Sequence, residues 1–140
     1  MKSLILFGCL LFATPLFAQE SDFSLAGRWV RIDDAWAGME LDVVIENDDF
    51  IGTLILVPDS ARKAGFEAGK IKWRDFRRIS AQAFDFQDLY SRDYGIGHYS
   101  FHYGRTHMMI VSGNEIIMQV YNPAGVLIGA KQRWIKIPPM

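Results

Sequence analysis

The sequence predicts an all-β domain, an antiparallel up-and-down meander of about eight to ten strands that closes as a barrel and carries one short helical turn. Turn-forming residues recur about every ten positions, and apolar and polar residues alternate between them as in half-buried strands. The connections are short, so strands that follow one another in the chain should pair with each other. Joining the first strand to the last removes both exposed sheet edges, which favours a barrel over an open sheet.

The alternation predicts nine strands. The clearest is 38–46, in which Leu41, Val43 and Ile45 alternate with mostly polar neighbours before the turn at 47–49. The nine predicted strands are 24–33, 38–46, 50–58, 70–79, 83–91, 97–103, 106–112, 115–121 and 127–137.

Only 59–65 has the pattern of a helix, since an Asp suited to an N-cap opens it and a Gly suited to a left-handed stop ends it. Later in the chain, Gly104–Arg105 and Gly113–Asn114 each fall between two predicted strands. Both pairs predict a two-residue hairpin.

The first residues have the layout of a signal peptide. Lys2 precedes an apolar run at 4–12, and Ala18 stands before a polar stretch, so we expect cleavage after Ala18. The apolar run is shorter than the about 20 residues that a permanent membrane anchor needs. The expected organisation is a leader at 1–18 and one barrel domain at 19–140, in a periplasmic or secreted protein.

Composition narrows the functional classes. Half of the 140 residues are hydrophobic, but 13 of these fall in the first 18 positions, so the remaining chain is ordinary for a soluble domain. The single cysteine, Cys9, lies in the leader; a lipid-attachment box there is disfavoured by the bulky Phe7. The mature chain then has no disulfide and no thiol nucleophile. Its expected net charge of −2, after loss of Lys2, argues against a nucleic-acid partner.

Two motifs lie at the ends of the mature chain. Residues 27–29 form a Gly-x-Trp, and residues 132–134 have the sequence Gln-Arg-Trp. With the meander and the leader, these motifs resemble the lipocalin and wider calycin group, most closely small exported bacterial lipocalin-like domains of unknown function. The resemblance implies a lipocalin-like barrel in which the indole of Trp29 crosses the closed end and Arg133 lies over it.

The resemblance and the supply of aromatic residues imply a protein that binds a hydrophobic or amphipathic small molecule without chemistry and without a cofactor. Further aromatics expected in the barrel interior are Phe76, Phe84 and Phe86. The candidate ligand-binding residues are Trp29, Trp73, Tyr90, Tyr99, Phe101, Tyr103 and Arg133.

Three histidines, His98, His102 and His107, are candidates for a zinc or haem site. A turn at Gly104–Arg105 would place them on one face, but that face should be the outer one, and no nearby acidic residue orients the rings. No metal site is therefore predicted. The opposite, inward face would carry Tyr99, Phe101, Tyr103, Met108 and Ile110.

The predicted strand at 70–79 alternates basic and apolar residues. Stacked aromatics and cations of this kind occur in nucleic-acid sites, but a solvated outer face is the simpler interpretation. A bulge should lie near Asp75 and Phe76, where the alternation changes phase. We expect Ile71 and Trp73 to face inward and Lys70, Lys72 and Arg74 to face solvent.

No catalytic residue is predicted. The serines lie in no activating motif, and Asp85 and Asp88, three positions apart on one strand, should point to opposite faces. Two alternatives to the binding barrel stay open: an envelope protein-interaction module with a filled barrel, and a small calycin-type hydrolase or isomerase that uses an interior Tyr, Asp or His. An interior cavity above about 300 Å³ would favour binding, whereas a barrel packed to native density would favour the interaction module. The ligand and the oligomeric state are not specified by the sequence.

Overall fold

The computed structural model describes residues 23–139, in which the chain forms eight β-strands and one helical turn. The predicted leader at 1–18 lies outside the described residues. In chain order the elements are β1 (Gly27–Ile32), β2 (Glu40–Glu46), β3 (Asp49–Leu56), α1 (Asp59–Arg62), β4 (Ile71–Ser80), β5 (Ala83–Asp93), β6 (Tyr99–Ser112), β7 (Glu115–Tyr121) and β8 (Leu127–Ile137).

The strands form one closed barrel. Each pairs antiparallel with its neighbours in sequence, and β8 pairs with β1, so both edges of the sheet are removed. Trp29 stands opposite Leu41 on β2 and opposite Lys136 on β8. The predicted fold class, an all-β up-and-down barrel with one short helical turn, is confirmed.

The predicted hairpin at Gly104–Arg105 is wrong, because β6 is one continuous strand through these residues. Gly104 pairs with Asp88 and Arg105 with Gln87, in register with the rest of β5. A Cβ at position 104 would come within 3.1 Å of the Tyr90 ring, so this glycine makes room for a neighbour and does not form a turn. Two predicted strands are therefore one, and the count falls from nine to eight.

The pairing of β4 with its two neighbouring strands shifts register at three places. The bulge predicted near Asp75 is confirmed: the pairing with β5 shifts between Arg74 and Arg77, and Asp75 has a φ of +56°. Two further shifts were not predicted. One lies between Arg78 and Ser80 in the pairing with β5, and the other lies in the pairing with β3. Gly52 pairs with Trp73 and Thr53 with Ile71, so Lys72 is an extra residue in the ladder. The extra residue allows two consecutive side chains of β4 to be buried.

The two ends of the barrel differ. We call one the turn end, because tight turns at 47–48, 81–82 and 113–114 join its strands there. The other is the loop end, where longer connections join the strands and where α1 lies. The connections of the loop end are 33–39, 57–70, 94–98 and 122–126.

The core fills the barrel between these ends. Trp29, Trp73 and Trp134 are fully buried, and aliphatic and methionine side chains pack around them. Within residues 23–139, none of the helical segments has the length and apolarity that a membrane crossing requires.

Candidate functional site

Aromatic side chains occupy much of the barrel interior. Trp73 contacts Trp134 edge to face with ring centroids 4.9 Å apart, and it contacts Phe86 at 5.7 Å. Phe76 stacks on Phe86 at 4.8 Å, and Phe84 packs against Phe76 at 5.8 Å. Such contacts are those of a packed core. Trp73 and Trp29, both predicted ligand-binding residues, are core residues in this arrangement.

The other predicted binding aromatics lie elsewhere. In antiparallel pairs the two partners point to the same face, and Thr106 and Met108 face the interior with Phe86 and Phe84. Because β6 is continuous, its odd-numbered residues face outward. Tyr99, Phe101 and Tyr103 therefore have outward parity, and the prediction that they share a face with Met108 and Ile110 is wrong. All three are partly buried, and Phe101 packs edge to face on the buried Phe66 with ring centroids 5.3 Å apart. Met108 is fully buried and Ile110 packs against the core, as predicted. Tyr90 has interior parity but is 36% exposed towards the loop end.

The cation over Trp29 is Lys136, not the predicted Arg133. Lys136 pairs with Trp29 across the sheet, and its Nζ lies 5.6 Å from the ring centroid. Arg133 pairs with Ile32 and forms ion pairs with Asp33 and Glu115. Residues 133 and 134 point to opposite faces of β8, and since Trp134 is buried, Arg133 faces outward.

The three histidines do not converge. His98 lies in the loop before β6, His102 has interior parity and His107 is on the outer face. Within residues 23–139, no group of three or more His, Cys, Asp or Glu side chains is arranged to hold a metal ion. The expectation that no acidic residue orients the rings is wrong for His107, which contacts Asp85.

Asp85 is the centre of a polar cluster on the outer face. Its side chain is only 7% exposed, and its Oδ2 accepts a 2.8 Å hydrogen bond from Arg105. Its Oδ1 accepts hydrogen bonds from His107 Nδ1 at 3.1 Å and from the Tyr121 hydroxyl at 3.0 Å. Arg77 lies 3.7 Å away. The register explains the cluster, because Asp85 is paired with Arg77 on β4 and with His107 on β6.

Charge and hydrogen bonding set the protonation of this cluster. Burial raises the pKa of Asp85, but the donors Arg105, His107 and Tyr121 outweigh it and lower that pKa below its ordinary value. Burial and the adjacent carboxylate raise the pKa of Tyr121. An ionised carboxylate only accepts hydrogen bonds, so His107 carries a proton on Nδ1. The cluster locks strands β5, β6 and β7 together on their outer side.

Replacing Asp85 by Asn should lower the free energy of unfolding by about 1–3 kcal/mol at neutral pH, because charge-assisted hydrogen bonds are lost. The folded-state pKa of Asp85 is depressed, so its contribution is complete above the unfolded value of about 3.9 and is lost as the pH falls through the folded value. Denaturant unfolding from pH 7 downward should show the wild type and the variant converging below about pH 4. The exposed Asp75→Asn is the control; a gap that does not depend on pH would contradict this role.

A second polar pair lies inside the barrel. Lys72 Nζ donates hydrogen bonds to Asp88 Oδ1 at 2.7 Å and to the carbonyl oxygen of Leu89 at 2.8 Å. Lys72 was predicted to face solvent with Lys70 and Arg74, but it is 1% exposed because the extra residue in β4 turns it inward. Ile71, predicted to face inward, is 41% exposed.

Burial dominates the titration of this pair. It lowers the pKa of Lys72, against the opposing attraction of Asp88, and it raises the pKa of Asp88, against Lys72. Of the described buried side-chain nitrogens and oxygens, Trp73 Nε1 alone has no hydrogen-bond partner; it lies near Asp88 without hydrogen-bond geometry. Asp85 and Asp88 point to opposite faces, as predicted.

A cleft lies at the turn end, and we call it the turn-end cleft. It has a volume of about 880 Å³ and opens to solvent beside the N-terminal residues that precede β1. Apolar side chains make up much of its wall, and Lys136 is the charged residue among those that line it. The residues that line it are Phe23, Ser24, Ser80, Ala81, Gln82, Ala83, Met109, Ile110, Val111, Ser112, Gly113 and Lys136.

Comparisons of the chain with protein-family models, with curated proteins and with solved structures found no match in any of the three. The closed eight-stranded barrel is consistent with a lipocalin-like fold. Membership of the calycin group rests on the sequence resemblance alone.

The sequence did not predict a site role for four of these residues: Lys136, Tyr121, Lys72, which was expected to face solvent, and Asp85, which was expected to form no catalytic pair. The alternation of side chains along β8 could have identified Lys136, because it places Lys136 on the same face as the buried Trp134 two positions earlier. The other three depend on register shifts and on pairing between β5, β6 and β7, for which the local sequence carries no signal.

Proposed function

We propose that the protein is an exported, non-catalytic barrel that binds a hydrophobic or amphipathic small molecule in the turn-end cleft. The observation that carries the proposal is the cleft itself. Its volume of about 880 Å³ falls in the range of small-molecule sites, and its wall combines apolar side chains with a few polar groups. Core side chains fill the barrel interior, so the proposed site is the cleft at the barrel end and not an interior cavity.

Hydrogen bonds between neighbouring elements hold the wall of the cleft in place. Its wall is built from the turn between β4 and β5 and from the end of β6, and the Ile110 amide donates a 2.8 Å hydrogen bond to the Gln82 carbonyl. Lys136 Nζ donates to the Ser24 carbonyl at 2.9 Å, which fixes the opposite wall. A site held by paired strands needs little ordering when a ligand binds, so binding costs less conformational entropy.

Native mass spectrometry of the protein purified from its own host tests the proposal. We expect a co-purifying mass of an apolar or amphipathic molecule that is lost on denaturation. The intact mass also reports the N terminus, which should be Gln19 if the leader is removed after Ala18. A protein that carries no ligand over repeated preparations, and that binds no neutral apolar dye such as Nile red, would contradict the binding function.

Paired valine variants locate the site. Val111 lines the turn-end cleft, whereas Val126 is a similarly exposed valine in a connection of the loop end. Val111→Asn should weaken Nile red binding about threefold or more, because part of the apolar contact is lost. Val126→Asn should leave it unchanged. Loss of binding in Val126→Asn alone would move the site to the loop end.

A second candidate function, an interaction module for another envelope protein, is favoured by one observation. Side chains of the loop end expose apolar surface, with Tyr94 at 61% and Val126 at 57%. Exposed apolar side chains of this kind can form part of a contact surface. Retention of a partner on the wild-type protein but not on Val126→Asn would favour this candidate over the small-molecule site.

A further inference from the structure

We propose that the ligand of the turn-end cleft carries an anionic head group, and that the ammonium group of Lys136 binds it. This inference rests on the proposed function. It commits to one chemical class: a single-chain amphiphile with an apolar tail and one negatively charged group.

The charge of the cleft supports an anion. Lys136 is the charged residue among those that line the cleft, so the wall of the cleft is positively charged. Among residues 23–139, Lys136 Nζ contacts the Ser24 carbonyl at 2.9 Å and the Trp29 ring at 5.6 Å, and no carboxylate pairs with it. Two more deeply buried cations do have acidic partners: Lys72 pairs with Asp88, and Arg31 pairs with Asp34. A cation in an apolar wall that has no carboxylate partner among the described residues favours a ligand of opposite charge.

The ammonium group is also held in position. The Ser24 carbonyl takes one of its three N–H donors, and the face of Trp29 lies beneath it. Two donors stay available for a ligand. Because the stem of Lys136 packs where a Cβ on Gly27 would come within 2.7 Å of its Cε, the side chain has little freedom on that side. A fixed donor loses less conformational entropy on binding than a free surface lysine.

The apolar part of the cleft suits an alkyl chain. Met109, Ile110 and Val111 form one side of it, and Phe23 and Ala83 form others. A tail along these side chains would leave its head group beside Lys136. Neutral lipids would bury the same tail but leave the lysine without a counter-ion, so the charged molecule should bind more tightly.

Isothermal titration calorimetry with decanoate and 1-decanol distinguishes an anionic ligand from a neutral one. Both probes are used below the concentration at which they aggregate. We expect the wild-type protein to bind decanoate about fivefold or more tightly than 1-decanol. The preference should shrink with added salt. Lys136→Gln should lose the preference and keep its affinity for 1-decanol, whereas Lys136→Arg should retain the preference. Lys131→Gln, which removes an exposed lysine of the same strand outside the cleft, is the matched control.

The outcomes are distinct. Equal affinity for decanoate and 1-decanol would overturn the anionic head group and leave the proposed binding function standing. Binding of neither probe would overturn both. A third arm uses vesicles of phosphatidylglycerol, in which the anion belongs to a membrane surface. Binding to vesicles without binding of monomeric decanoate would overturn the single-chain ligand.

Discussion

Asp88→Asn should lower the free energy of unfolding by about 3–5 kcal/mol, because it leaves the ammonium group of Lys72 buried without a counter-charge. Both side chains lie inside the barrel, where the 2.7 Å contact replaces the water that each loses. Guanidinium unfolding of the wild type and the variant at neutral pH measures the difference. Glu40→Gln, which breaks the more exposed Arg28–Glu40 pair, also at 2.7 Å, should cost under about 1 kcal/mol.

The double variant Lys72→Met with Asp88→Leu makes the test more specific. Hydrophobic residues of similar volume often replace a buried ion pair without loss, so the double variant should recover most of the stability that Asp88→Asn loses. A double variant as unstable as the single one would show that the site depends on the shape of these side chains more than on their charge.

The pH dependence of Asp88→Asn follows from the same pair. Burial already lowers the pKa of Lys72, and Asp88 opposes that shift, so removing Asp88 lowers the pKa further. Between the folded value and the unfolded value of about 10.4, the unfolded chain binds more protons. The stability of the variant should therefore rise with pH across that range. A variant whose stability falls as the pH rises there would contradict the assignment.

The fold was predictable because local signals were sufficient for it. Alternation and turn residues defined the strands, and the change of phase at Asp75 and Phe76 located a bulge that the structure confirms. The last predicted strand, 127–137, coincides with β8. One local signal gave a wrong prediction: the pair Gly104–Arg105 is typical of a turn, yet it lies within a strand. The glycine leaves room for the Tyr90 ring, which occupies the space beside it.

The candidate sites were less predictable because each depends on which face a side chain takes. One extra residue at Lys72 reverses the parity at the start of β4, and one missing turn at Gly104 reverses the parity of residues 99–103 in β6. As a result Lys72 is buried inside the barrel, and Tyr99, Phe101 and Tyr103 have outward parity and are only partly buried. The contact of Asp85 with His107 spans 22 positions and exists only in the observed register.

Trp29→Ala is the other change with a large expected effect, a loss of about 3–5 kcal/mol in the free energy of unfolding. The indole is fully buried, and its Nε1 donates a 2.8 Å hydrogen bond to the carbonyl oxygen of Leu25, so truncation leaves a cavity and an unpaired acceptor. Denaturant unfolding measures the loss, and the exposed Tyr94→Ala should stay within about 0.5 kcal/mol of the wild type.

The position of Trp29 links this stability to the turn-end cleft. Lys136 lies over the ring, and the Phe23 ring, which lines the cleft, is 6.5 Å from it. Trp29→Phe should recover part of the stability by refilling the space without the hydrogen bond. Both variants should weaken binding of neutral Nile red, and the weakening should follow the order of their stability losses. The reason is that a smaller side chain at position 29 removes packing beneath Lys136 and Phe23, which line the cleft. A loss below about 1 kcal/mol for Trp29→Ala would mean that the tryptophan does not close this end of the barrel.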